Sequence, residues 1–148
     1  MLRLIDYPTC FELLKRPLPD NRIGLLERLC REKVIVDRGD DHFDITNVGA
    51  ILVAKNLTEF DRLARKALRV IQYRGKNRVE TVREQAGNKG YAVGFEGAID
   101  YINNLLPQNE QIEQALRKTV PVYPEIAIRE LVANALIHQD FSMTGTGP

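Results

Sequence analysis

A carboxylate, an amide and an imidazole recur at helical spacing near the end of the chain: Glu130, Asn134 and His138. Because residues four apart lie on one side of an α-helix, these three groups are predicted to form a polar stripe. A carboxylate one turn before an amide oxygen can hold a water molecule beside a hydrated Mg²⁺, since hard cations take oxygen ligands and keep several waters. A hydrogen bond between Glu130 and Asn134 would explain the same pair without any ligand.

The surrounding residues predict the helix that positions this stripe. Pro124 fits the first helical position, and Glu125 lies where the helix dipole favours an anion. Apolar residues occupy most of the remaining positions of this helix, on both of its sides. They include Ile126, Ile128, Leu131, Val132, Ala133, Ala135 and Ile137. A helix that is apolar nearly all round is expected to be buried, and a buried polar stripe must then face polar partners.

The Glu–Asn pair resembles the first ATP-site motif, E-x-x-x-N, of the GHKL ATPases, the superfamily of gyrase, MutL and the histidine kinases. The resemblance implies that Glu130 is catalytic and orients the attacking water. It implies that Asn134 binds both the cofactor and the metal, and that His138 belongs to the cofactor site. ATP and Mg²⁺ are the implied cofactors of the intact protein, whereas this chain alone is expected to bind neither and to be inactive.

Longer segments resemble one bacterial family of multidomain proteins. Its members combine an N-terminal Schlafen/AlbA-type DNA-binding domain with a C-terminal GHKL-like domain, and they are catalogued as RecG-related helicases or transcriptional regulators. Four segments are similar to this family: 2–29, 44–55, 70–75 and 124–142. Segment 44–55 is similar to the family's TN-x-G-x-LL-F-x-K motif, with Val53 where an aromatic residue is commoner. Segment 70–75 matches its V-x-Y-R-G motif. The resemblance implies a DNA-associated regulator in which this chain connects a DNA-binding domain to an ATP-binding domain.

Composition and charge are those of an ordinary globular chain. Its 148 residues are 44% hydrophobic and 28% charged, and the formal net charge of +1 gives no global attraction to nucleic acid or membrane. No apolar stretch is long enough for a spanning helix, and the N-terminus lacks signal-peptide order, so a cytoplasmic protein is expected. Cys10 and Cys30 are isolated and are expected to be core or half-buried thiols.

The first third of the chain predicts helices over 7–15 and 20–33, a β-hairpin over 34–45 with its turn at 38–40, and a helix from Thr46 or Asn47 to about 55. Asp20 is the expected cap of the second helix, and its expected inner face is Ile23, Leu26 and Cys30. Helix followed by hairpin is the second half of a winged helix-turn-helix.

The predicted wing is acidic, because Asp37, Asp40 and Asp41 lie around its tip, and such a wing would repel phosphate. A packing module is therefore favoured over a DNA reader here. His42 is expected to be a solvated hairpin residue.

A basic segment supplies the alternative nucleic-acid site. Its seven cations are Arg62, Arg65, Lys66, Arg69, Arg74, Lys76 and Arg78, with no carboxylate between them at positions 62–78. Phosphate contacts from such a cluster add salt-dependent affinity, although Tyr73 is the one aromatic placed for stacking. A strand edge protected by charge explains the same residues without DNA.

After the strand predicted at 67–73, residues 79–90 are predicted to be a loop and 92–106 an amphipathic helix ended by Pro107. Residues 110–120 are ambiguous, with an extended stretch favoured. The chain has no G-x-x-x-x-G-K-[ST] phosphate loop, no Asp-x-Gly-x-Gly segment and no glycine-rich lid, so helicase motor chemistry and a complete GHKL site are not expected from these residues.

Together these patterns predict an α+β chain with three parts: a winged-helix-like unit at 1–56, a connector with a basic strand at 57–122, and the first helix of an incomplete GHKL-like domain at 123–148. Met1 opens directly into an apolar segment and 145–148 follow closely on the last helix, so we expect a piece excised from a longer protein. DNA, or a second copy meeting the apolar helices, are the alternative partners; the chain would then act as a nucleic-acid module or a dimerisation unit.

Overall fold

In a computed structural model, residues 1–76, 78–113 and 116–141 are described, and they form five α-helices and three β-hairpins. The predicted α+β class is confirmed. The elements are α1 Tyr7–Leu13, α2 Arg22–Arg31, β1 Ile35–Gly39, β2 His42–Ile45, α3 Asn47–Val53, β3 Arg69–Tyr73, β4 Thr81–Ala86, α4 Tyr91–Leu105, β5 Gln108–Glu113, β6 Leu116–Pro121 and α5 Glu125–Ile137. The sheets are two-stranded and antiparallel, pairing β1 with β2, β3 with β4, and β5 with β6.

Side-chain caps fix where the first three helices begin. The Thr9 and Gly24 backbone N–H groups donate to Asp6 and Asn21, so α2 begins after Asn21 and not after the predicted cap Asp20. At α3 the predicted cap Thr46 is confirmed, since its hydroxyl accepts from the Gly49 N–H at 2.8 Å. The same hydroxyl donates to the Lys33 carbonyl at 2.6 Å, which ties the start of α3 to the end of α2.

The N-terminal core forms between α1, α2 and the first hairpin around Ile5, Phe11, Leu29 and Ile35, each at most 2% exposed. The predicted inner face of α2 is wrong in part. Leu25, Leu26 and Leu29 are the buried residues of α2, while Ile23 is 72% exposed. The helix is rotated because its three leucines bury more branched apolar surface than Ile23 and Cys30 would.

The first hairpin turns at Asp40 and Asp41, which directly follow the centre of the predicted turn at 38–40. Both aspartates have positive φ, 51° and 58°, and such a pair of central residues matches the right-handed twist of the flanking strands. Asp is one of the few residues with a side chain that tolerates this conformation. His42, at the start of β2, is exposed as predicted.

Close backbone approach explains the glycine within α3. A Cβ built on Gly49 would overlap the carbonyl group of Val34, and the Thr46 N–H donates to that carbonyl at 3.0 Å. An isolated bridge between Ile5 and Ala54 joins the N-terminus to the end of α3. Helix α3 therefore contributes to two cores, one around α1 and α2 and one that extends to α4 and α5.

The second half of the chain contains a strand that the sequence did not indicate. Residues 79–90 were predicted to be a loop, but Thr81–Ala86 form β4 and pair with Arg69–Tyr73. Every residue of β4 is exposed, so the strand has no apolar alternation by which it could be recognised. The amphipathic helix α4 is confirmed. The described residues of the stretch 110–120, for which an extended conformation was favoured, lie in the two strands β5 and β6. None of the helices in the described part of the chain is long and apolar enough to cross a membrane.

Candidate functional site

Helix α5 carries the predicted polar stripe and packs against α4 along one side. Leu136 is 7% exposed and belongs to the core cluster formed with α3 and α4, and half-buried Val132 packs beside it. Residues 129, 132 and 136 are spaced three and four apart, so they lie on one face of the helix. This face fixes the orientation of α5.

An ion pair reinforces the contact between α5 and α4. The Arg129 guanidinium donates two hydrogen bonds to the Glu96 carboxylate, at 2.5 and 2.7 Å, and lies 5.2 Å from the centre of the Phe95 ring. The hydrogen bond from Arg129 lowers the pKa of Glu96, which keeps the carboxylate charged. Nothing local in the sequence identifies this pair, because its members lie 33 residues apart.

A buried tyrosine anchors the end of α5. The Tyr91 hydroxyl donates to the Lys66 carbonyl oxygen at 2.6 Å and accepts from Gln139 Nε2 at 2.6 Å. Lys66 Nζ donates to the Asp140 carbonyl oxygen at 3.3 Å. Burial raises the pKa of Tyr91, so its hydroxyl stays protonated as the donor. These bonds hold the residues just after α5 against the segment that precedes β3.

The polar stripe itself faces away from this packing. Glu130, Asn134 and His138 are all exposed, and the expectation that the helix is buried all round is wrong. Of its apolar residues, Ile126, Leu131 and Ile137 remain 67%, 67% and 70% exposed. Periodicity measures which sides of a helix are apolar, but burial requires another element on each side, and α4 covers one side of α5.

The side chains of the stripe make no hydrogen bond or ion pair with any residue in the described ranges. The hydrogen bond between Glu130 and Asn134, which would have explained the pair without a ligand, is therefore not formed. The polar partner expected to face the stripe is likewise not among the described residues. The carboxylate and the amide are free to contact a ligand.

The donor set restricts the metal that this stripe could hold. Within residues 1–76, 78–113 and 116–141, no group of three or more His, Cys, Asp or Glu side chains is placed to hold an ion. Asn134 and Glu130 supply oxygen donors one helical turn apart. Such a pair suits a hydrated Mg²⁺ held mainly by waters and phosphate oxygens, and it does not suit a metal enclosed by protein ligands.

The basic segment is not the continuous cationic surface that the sequence predicted. Lys66 is 5% exposed, and its stem lies in the core. Strand β4 and the residue before it bring two carboxylates to the cluster, so Arg69 pairs with Glu84 and Arg74 with Glu80, each at 3.3 Å. The cations left exposed without an ion pair among the described residues are Arg62, Arg65, Lys76 and Arg78.

Two of the clefts among the described residues have α4 as one wall. One, of about 370 Å³, lies between the β3–β4 hairpin and α4, and Tyr101, Val70 and Gly97 are among its lining residues. The other, of about 360 Å³, lies between α3, α4 and α5 and is lined by apolar side chains. Glu130, Asn134 and His138 line neither cleft. The stripe lies on open surface.

Comparisons with protein-family models, with curated proteins and with solved structures found no match for this chain. The resemblance to RecG-related proteins therefore rests on the residues of the sequence alone and stays a prediction.

Proposed function

We propose that this chain is the connecting region of a DNA-associated, ATP-dependent bacterial regulator and that α5 presents the first ATP-site motif. The observation that carries the proposal is the free, outward-facing Glu130 and Asn134 on a helix that is anchored at its other face. A buried Glu–Asn hydrogen bond would have accounted for both residues structurally. Its absence leaves two polar groups at catalytic spacing that the packing of the described residues does not explain.

The anchoring of α5 supports this role. A group that positions water or a cation works by being held in place, because misplacement by an ångström costs much of the rate. The Arg129–Glu96 pair holds the middle of α5, and Tyr91 holds the residues after it. Glu130 directly follows Arg129, and Asn134 precedes the buried Leu136 by two positions. Both proposed site residues thus lie between fixed points.

In this proposal, Glu130 orients the attacking water and Asn134 contacts Mg²⁺ through its amide oxygen. His138 lies one turn further along the same exposed side, where an imidazole could contact the bound nucleotide. Phosphoryl transfer depends mainly on such positioning and on electrostatic stabilisation. The bound Mg²⁺ would supply charge neutralisation at the phosphates.

The N-terminal half fits a winged-helix-like packing module within the same proposal. Helix α2 leads into the β1–β2 hairpin, and α3 returns against both. The exposed carboxylates Asp37, Asp40 and Asp41 around the hairpin tip disfavour contact with phosphate. DNA recognition would belong to another domain of the regulator.

The test compares two site variants in a protein in which the chain continues into a complete GHKL-like domain. Asn134→Ala should weaken Mg-ATP binding, and Glu130→Ala should keep binding while lowering hydrolysis by about 100-fold or more. The matched controls are Asn104→Ala and Glu27→Ala, which remove the same groups from exposed positions on α4 and α2. Binding is measured by calorimetry and hydrolysis by phosphate release.

A second arm uses the 148-residue chain itself. Because both side chains are exposed and unbonded among the described residues, each site variant should melt within about 2 °C of the wild type. Unchanged nucleotide binding and hydrolysis in both variants would contradict the proposal. Melting temperatures lowered by several degrees would show that the pair is structural.

A further inference from the structure

Six large apolar side chains stand 41–70% exposed along two adjoining grooves on one side of the molecule. They come from the end of α1 and the residue after it, from α3, and from the end of α5 and the segment that follows it. We define them as the α1–α3–α5 patch: Leu13, Leu14, Val48, Leu52, Ile137 and Phe141.

The two grooves form one continuous surface. Val48, Leu52 and Ala92 line both of them, so these residues lie at the middle of the patch. Leu13 and Leu14 line the groove on the α1 side, and Ile137 and Phe141 line the groove on the α5 side. Both ends of the patch are therefore apolar, with α3 between them.

The size of the patch matches what a dimer needs. At their observed exposures the six side chains present roughly 500 Å² of apolar surface, near the upper end of the largest patch on a typical monomer. A standard protein interface covers about 800 Å² on each partner, of which roughly 500 Å² is apolar. The patch alone supplies that apolar share.

The charge distribution also permits two copies to meet. Among the described residues that line the two grooves, Glu32 is the one charged side chain, and its carboxylate accepts a hydrogen bond from Arg16 at 2.6 Å. No unpaired like charges would therefore be brought together inside such an interface. The formal net charge of +1 adds almost no long-range repulsion between copies.

We propose that the α1–α3–α5 patch is the interface of a homodimer with its two-fold axis near Val48 and Leu52. Such an axis superposes the centre of the patch on itself and places the α1 end of one copy against the α5 end of the other. Because both ends are apolar, the surface is chemically self-complementary, as an isologous interface requires. Glu130 and Asn134 line neither groove, although Ile137 of the patch lies three positions after Asn134 on the same helix.

The test is sedimentation equilibrium of the 148-residue chain at concentrations between about 1 and about 100 µM. Dissociation constants of micromolar non-obligate dimers fall within this range. The wild type should sediment with twice the monomer mass at the upper end. Val48→Asp places two carboxylates together at the axis, away from water, and should weaken association by about 100-fold or more. Ile23→Asp, at a 72% exposed position on α2 outside both grooves, should leave association unchanged.

Cross-linking gives a second measurement that tolerates a loss of stability in the aspartate variant. Val48→Cys should form a disulfide-linked dimer on mild oxidation, because a residue near a two-fold axis meets its own copy. Ile23→Cys and the wild type, with native Cys10 and Cys30, should not form one. A monomeric wild type across the concentration range would overturn the proposal, as would equal association of the wild type and a folded Val48→Asp, or cross-linking of Ile23→Cys to the same extent.

Discussion

Replacing Tyr91 by Phe should destabilise the chain, because this hydroxyl joins three segments that are far apart in sequence. The tyrosine is 6% exposed, donates to the Lys66 carbonyl and accepts from the Gln139 amide. Without the hydroxyl, the carbonyl loses its donor and the amide loses its shortest bond in a site largely closed to water.

The expected size follows from the cost of leaving buried polar groups unsatisfied, which is about 1–3 kcal/mol. In a chain of this length, 1 kcal/mol corresponds to about 2–4 °C in melting temperature, so Tyr91→Phe should lower it by about 2–12 °C. The matched control is Tyr101→Phe on the same helix. Tyr101 is half-buried and its hydroxyl makes no hydrogen bond within the described residues, so the control should melt within about 2 °C of the wild type.

The loss of stability at alkaline pH gives an independent check on the anchoring role of Tyr91. Burial raises the pKa of Tyr91 in the folded state, so the protonated form is favoured by folding. The protonated hydroxyl of Tyr91 therefore contributes fully to the free energy of unfolding below the ordinary tyrosine pKa of about 10. This contribution is lost as the pH rises through the higher pKa that Tyr91 has in the folded state. Circular dichroism melts between about pH 8 and 11 should show a steeper loss in the wild type than in Tyr91→Phe. Equal melting of the two tyrosine variants at neutral pH would refute the anchoring role.

Two further predictions use pairs within the chain. Gly49→Ala should cost about 1–3 kcal/mol, because the new Cβ meets the Val34 backbone, whereas Gly97→Ala meets nothing within 4 Å and should stabilise α4 by about 0.5–1 kcal/mol. Chemical denaturation measures both, and equal effects would contradict the close approach at Gly49. Cys30 should be alkylated faster than Cys10 in the native chain, since Cys10 is buried and Cys30 is half-buried. Burial raises the pKa of both thiols, so the access of the reagent to the sulfur is expected to set the order of the rates. Mass spectrometry follows the rates, and faster labelling of Cys10 would show that α1 opens.

Helix boundaries were the most predictable part of this fold, because each depends on residues close in sequence. Thr46 caps α3 through its own hydroxyl, and Pro124, predicted at the first position of α5, lies one residue earlier as its N-cap. The predicted α4 differs from the observed helix by one residue at each end. Capping and periodicity are local properties, so the sequence contains what is needed to read them.

Long-range relationships account for what the sequence did not reveal. Strand β4 is exposed along its whole length and is stabilised by pairing with β3, and its sequence shows no regular apolar alternation that marked it. That pairing also brought Glu80 and Glu84 to the basic segment and neutralised two of its arginines. Lys66 was predicted as a phosphate contact, but its stem is buried and its ammonium group donates to a carbonyl 74 positions away.

Helix α5 shows why the surroundings of a helix are harder to predict than its polar and apolar positions. The sequence indicated a polar stripe on an otherwise apolar helix, but the assumption that apolar surface is buried within one chain placed the polar stripe in the interior. The structure instead uses Leu136 for packing, leaves Ile137 on an open apolar patch, and exposes Asn134 on the remaining side. A helix with one anchored face and two free faces can serve two partners at once. The proposed nucleotide site and the proposed dimer interface therefore make separable demands on its residues.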